Sequence, residues 1–238
     1  MDFDVYLEHV REQAAALRAA AVKAGPGADM PTAPGWTVRH LVRHIARVHD
    51  WVRRSLDTDP AEERPGRAQP PEDWDGTLAF WDETLDGMLH ELRKRGPASP
   101  AWTFSSDKTV GFWARRQAHE TAIHRLDAEH AAHGDAVDHL VFDPELAADG
   151  IDEALTLMIA RNPVEVSGTV LIHAADAGRA WLVTLTAGKT PNIGRATEID
   201  TDASLVGTAD AVYRAIWGRP SHAVVSGDSA LVAALRTP

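Results

Sequence analysis

FWARRQAHETAIHRLDAEH, residues 112–130, contains neither Gly nor Pro and spans about five turns of helix at 3.6 residues per turn. Within it Glu120 and His124 stand four apart, so their side chains leave one helix face a single turn from each other. A carboxylate and an imidazole so placed can grip one divalent ion from a rigid element. His119 precedes Glu120 directly and points about 100° away, so it is not expected to share the ion. The spacing is HExxxH, not the HExxH of zinc proteases, and it takes the two histidines off one face. A third ligand, a wall and a substrate must come from elsewhere in the chain.

The composition narrows the function classes. Twenty-four basic against 35 acidic residues in a 238-residue chain give a net charge of −11, which argues against nucleic acid or an anionic membrane as the main partner. The N-terminus, MDFDVYLEHVREQ, is amphipathic and acidic, unlike a signal peptide. No apolar run approaches the roughly 18 residues of a membrane span, so the expected location is cytoplasmic. Cysteine is absent, which excludes disulfides, thiolate metal ligands and a cysteine nucleophile. Any sulfur chemistry must therefore arrive on a small molecule. The 12 histidines favour a metal site without locating it.

Toward the N-terminus, Val5, Leu7, Val10, Ala14, Leu17 and Ala21 form a helical stripe that ends at Gly25-Pro26-Gly27. Thr37 is placed to cap a second helix, with Leu41, Ile45, Val48 and Val52 on its buried side. His44 falls on that side too. On these residues alone it reads as a core histidine bonded to a carbonyl, or as a ligand; His40 and His49 read as surface residues. The connection Asp57–Asp73, rich in Pro and charge, is long enough to be mobile or functional. A third helix over 74–94 buries Leu78, Trp81, Leu85, Met88, Leu89 and Leu92. Trp102, Phe104, Phe112 and Trp113 suit either a pocket mouth or ordinary packing. Asp143-Pro144 starts a fifth helix, expected to reach Ala160.

At Asn162-Pro163 the apolar period changes. Strands are expected at Thr169–Ala174 and Ala180–Thr186 around the turn Asp176–Arg179, with further strands at Thr197–Ile199 and Ser204–Gly207. A helix over Thr208–Trp217 and a short strand leading into a helix capped at Asp228 or Ser229 complete the chain. The fold class is α+β: a helical bundle over residues 1–162, then a small α+β domain over residues 163–238. Bundle cores commonly hold metal sites built from facing helices.

The segments GWTVRHLVRHIARVHDW, RRQAHETAIHRLDAE and VGTADAVYRAIWGR, the last followed by VSGDSALVAAL, resemble the mycothiol-dependent maleylpyruvate isomerase family, within the wider DinB-like helical-bundle superfamily. The resemblance spans nearly the whole chain, with the motifs in the family's order. It implies a DinB-like metal-binding bundle and a metal site of His44, Glu120 and His124, most simply for zinc. It also implies mycothiol as thiol cosubstrate, and a role in activity for Arg219, the arginine after the Trp-Gly pair. By itself Arg219 is an arginine at a helix end, where it favours the macrodipole. The implied function is a mycothiol-dependent isomerase or S-transferase, in which a thiolate attacks an electrophilic small molecule.

Two other readings use the same residues. A zinc hydrolase would use metal-activated water and needs a general base, for which Asp127, seven residues past Glu120, is one option. A non-catalytic bundle would carry a structural metal, but such sites usually have four protein ligands and no fourth is apparent.

Overall fold

In the computed structural model the opening stretch lies within a longer helix, α4 (Val110–His133), capped by Thr109, whose side chain accepts from the Phe112 amide. Every residue is described except Asp135, Ala136, Asp138, His139, 197–199 and Pro238. The described chain divides into two compact units, Met1–Leu140 and Val141–Pro238.

The first unit is a bundle of α1 (Phe3–Ala24), α2 (Val38–Asp57), α3 (Trp74–Arg95) and α4. Helix α1 packs mainly on α4, and α2 on α3. Leu17 of α1, Leu41 and Ile45 of α2, Trp81 of α3 and Ala128 of α4 share one buried cluster. Helix α4 buries residues on every side, Trp113, Ala118, His119, Ala122 and Leu126 among them, as expected of a helix central to its core. The apolar stripe of α1 holds except at Val5, which is 42% exposed because it lies in the first turn. Leu85 is only partly buried at the edge of the α3 stripe. At the head of α2 the Thr37 amide donates to His40 Nδ1 at 3.0 Å, so His40 is an exposed helix-start residue, as its sequence position suggests.

The connection over 57–73 has no regular structure but is tied along α2. Trp51 Nε1 donates to the Pro65 carbonyl at 3.1 Å, the Ala68 amide to Asp50 Oδ2 at 3.3 Å, Arg43 to the Pro71 carbonyl at 2.5 Å and Arg39 to the Glu72 carbonyl at 2.6 Å. As the connection advances, its partners move back down α2. It is a strap running antiparallel to the helix.

The second unit begins earlier than the composition change at 162–163 suggests. Helix α5 (Pro144–Glu153), with Asp143 accepting from the Glu145 and Leu146 amides, continues through one π turn (Ala154–Met158) and a 3-10 turn (Ile159–Arg161). It packs on α6 (Ala209–Ile216), burying Leu146, Ala147, Ile151 and Leu155. Asn162-Pro163 thus ends a helix, whereas the units part where burial changes sides. The sheet is β1 (Gly168–Ala174), β2 (Arg179–Leu185), β3 (Asn192–Arg195), β4 (Ala203–Gly207) and β5 (Val224–Gly227), in the order β3-β2-β1-β4-β5. The β1–β2 hairpin is antiparallel, as its turn implies, and β1 runs parallel to β4. Strand β3, short and mostly exposed, carries no alternation to announce it; the strand expected at Thr197–Ile199 lies outside the described residues. Asp228 caps α7 (Ser229–Ala233). Gly227 before it has φ 75°, and a Cβ there would lie 2.2 Å from the Asp202 carbonyl oxygen, so only glycine fits that close approach.

The bundle core yields a direct test. Leu17→Ala should cost about 2–5 kcal/mol, whereas Val5→Ala should stay within about 0.5 kcal/mol of wild type. Urea denaturation of both variants would check this; equal losses would contradict the assigned packing.

Candidate metal centre

Helix α2 supplies His44 and α4 supplies Glu120 and His124 from successive turns. Between them one ligand atom from each residue lies within 4.8 Å of the others. His44 Nε2 is 3.0 Å from Glu120 Oε1, and His124 Nε2 is 3.4 Å from the same oxygen. The two imidazole rings meet edge to face, centroids 4.9 Å apart. Three donors about 2.0–2.1 Å from a tetrahedral zinc ion would be separated by roughly 3.3 Å, close to the spacing the helices provide. Among the described residues this is the one group of three histidines or acids with such convergence. The His44 side chain remains 31% exposed, which leaves one side of the cluster open.

Two of the three ligand candidates, Glu120 and His124, are held from behind. Glu120 Oε2 is paired with Arg116, one turn back on α4 and nearly fully buried. Burial alone would push the Glu120 carboxyl up, but the Arg116 guanidinium and hydrogen bonds from His124 and His44 outweigh it and hold the carboxyl well below the usual range. His124 Nδ1 lies 3.0 Å from Asp127 Oδ2, and Asp127 is itself buried. Burial works against the His124 imidazolium, yet bonds to Asp127 and Glu120 prevail and raise it to about 9. Without a metal, then, His124 carries protons on both nitrogens, each facing a carboxylate.

The remaining histidines fall out differently from their sequence positions. His119 is fully buried, its ring edge-on to Tyr6 at 6.3 Å, away from the cluster as its angle requires. His49 is not a surface residue. It is fully buried, its Nδ1 accepting from Trp81 Nε1 at 3.1 Å, and burial drives it down to about 3, so it is neutral. Trp36, one-third exposed, flanks His44 with ring centroids 5.4 Å apart. Trp102, Phe112 and Trp113 pack with Trp51 and Phe104 in one aromatic group, Trp113 Nε1 donating to the Trp102 carbonyl at 2.6 Å, which favours packing over a pocket mouth. Arg219 belongs to the second unit, half-buried after Gly218, and its Nη1 donates to the Trp217 carbonyl at 2.5 Å. The roles of Arg116 and Asp127 were readable only as helical spacings; neither residue type by itself announces a supporting contact.

A family model described as the mycothiol maleylpyruvate isomerase N-terminal domain matches residues 7–129, and one described as the MDMPI C-terminal domain matches residues 145–234. The chain belongs to this family. Two solved structures share the fold, a histidine-to-alanine mutant of the mycothiol-dependent maleylpyruvate isomerase at TM-score 0.66 and the mycothiol-dependent maleylpyruvate isomerase at TM-score 0.61. Each is 11% identical to this chain, over 95% of this chain and 93% of the other. No curated protein matches the sequence. Among the described residues, no helix is long and apolar enough to cross a membrane.

The raised His124 sets a pH dependence for the metal-free protein. Because its folded value of about 9 lies above the ordinary histidine value of 6.5, its stabilising contribution is complete below about 6.5 and is lost as pH rises through about 9. Denaturant midpoints of metal-free wild type and His124→Gln should therefore converge between pH 6 and 10. A constant difference over that range would refute the assignment.

Proposed function

We propose that this chain is a mycothiol-dependent enzyme, an isomerase or S-transferase acting on a small electrophile, built on a divalent metal, most simply zinc, held by His44, Glu120 and His124. The observation that carries this reading is the convergence of two imidazole nitrogens on one oxygen of the partly buried Glu120 carboxylate, within a family named for a mycothiol-dependent reaction. Bound there, the ion would lower the pKa of a coordinated thiol, and the thiol would serve as the nucleophile toward an activated double bond or a leaving group.

The chain's own residues prepare this. Asp127 accepts from His124 Nδ1, fixing the ring so that Nε2 is the coordinating nitrogen. Arg116 keeps Glu120 ionised and occupies its second oxygen, directing Oε1 toward the ion. The absence of cysteine suits an enzyme whose thiol is carried by its cosubstrate. We assign Arg219 the role of a carboxylate clamp for substrate or thiol.

The hydrolase alternative loses its candidate base, because Asp127 is buried and engaged with His124 rather than facing a water. A structural zinc is disfavoured by the three-residue donor set.

Metal analysis of purified wild type should give about one zinc per chain, lost in Glu120→Ala and reduced in Glu120→Gln. Mycothiol added to the zinc-loaded wild type should release protons. Metal without thiol binding would move the reading to hydrolysis, and no metal in reconstituted wild type would sink the centre. Asp127→Asn should weaken zinc about 10–100-fold, measured by competition with a chelating dye; unchanged affinity would remove Asp127 from the design.

A further inference from the structure

Seen down α2, His44, Arg47 and Trp51 form one stripe, with Trp51 two turns beyond His44 and Arg47 between them. Of the α2 residues that hold the strap, Arg39, Arg43 and Asp50 lie on the adjacent face and Trp51 on the stripe itself, so Arg47 stands between the first three and His44. The strap returns two more arginines to this stripe. The guanidinium carbon of Arg64 lies 4.7 Å from the Trp51 ring centroid and that of Arg67 4.5 Å. In a chain of net charge −11, three cations thus gather beside the candidate centre.

Their bonding is incomplete. Arg39, Arg43, Arg53 and Arg54 all reach carbonyl or carboxylate oxygens. Among the described residues, by contrast, Arg47 Nε is buried without a hydrogen-bond partner, and Arg64 and Arg67 meet an indole face rather than an acid. A guanidinium stacked on a ring keeps its N–H edge free to point outward. Arg64 and Arg67 are exposed, so their edges are open to a ligand, while Arg47 is half-buried with its Nε enclosed.

We propose that Arg47, Arg64 and Arg67 form an anion subsite that binds a carboxylate of the electrophilic substrate, about one to two helical turns from the reacting centre. The proposal rests on the reading of His44, Glu120 and His124 as that centre. Along α2 the two places lie about 5–10 Å apart at 1.5 Å per residue, the span of a short dicarboxylic or keto acid. Cations at the far end of such a substrate also stabilise the negative charge that nucleophilic addition to a conjugated double bond delivers to its carbonyl oxygen. Arg67 is held below its ordinary value by burial and by Arg64 and Arg47, with Glu120 opposing; a bound carboxylate would relieve that repulsion.

Maleate, a plain dicarboxylate, is the probe. It would be titrated by calorimetry at low ionic strength into full-length wild type, Arg64→Gln/Arg67→Gln and Arg47→Gln, with and without zinc. Saturable binding by wild type, weakened at least about tenfold in the double variant with zinc content and thiol-linked proton release unaltered, would establish the subsite. Equal binding by wild type and double variant, or no saturable binding by wild type, would overturn it. Arginine-dependent maleate binding in a chain that takes up no zinc would uphold the subsite and refute the metal centre, so the two failures are distinguishable.

Discussion

The bundle is arranged around one largely enclosed carboxylate, Glu120, 15% exposed. Glu120 cannot be ionised in an apolar core without compensation, since an unpaired buried charge costs more than packing can return. Its compensation comes from Arg116 on one oxygen and from His44 and His124 on the other. Arg116 and His124 stand four residues either side on the same helix, so α4 alone supplies most of it. His44 must come from α2, which also meets α4 where Trp51 packs on Trp113 and where Leu41 and Ile45 share a cluster with Ala128. In the cluster so held, two imidazole nitrogens share one carboxylate oxygen, a donor set that could hold a metal ion.

Electrostatics elsewhere follow a similar logic at lower cost. The chain is acidic as a whole, yet the face of α2 that passes the centre is basic. Arg39 and Arg43 spend their donors on backbone carbonyls of the strap, converting charge into loop geometry. Arg47, Arg64 and Arg67 do not, and the indole of Trp51 provides a flat support that tolerates cations through its ring face without neutralising them. A whole-molecule charge count, which argues against nucleic acid as the main partner, says nothing against a small anion at this place.

Helix positions were legible because apolar spacing, caps and breakers are local properties: Thr37, Asp143 and Asp228 begin helices where their side chains suggest. The pair Glu120 and His124 was legible for the same reason, being one turn of one helix. The end of the bundle was not, because the break at Asn162-Pro163 marks a change of secondary structure, whereas the unit boundary depends on which neighbour α5 buries against. Strand β3 and the parallel pairing of β1 with β4 likewise depend on partners far along the chain.

The two histidines of α2 show the division most clearly. On a helical wheel His44 and His49 flank the stripe of Leu41, Ile45, Val48 and Val52 at similar angles, about 70° to either side, so periodicity treats them alike. Packing separates them: α3 covers the flank of His49 and Trp81 seals it, while the flank of His44 opens beside Glu120. The sequence by itself determined the helices, the α+β class and two of the three candidate ligands, Glu120 and His124, because those follow from residues a turn apart. The family resemblance implied His44, but only the tertiary structure brings it beside Glu120, places the arginines of the strap and shows which charges are compensated, because burial belongs to neighbouring elements rather than to the residue.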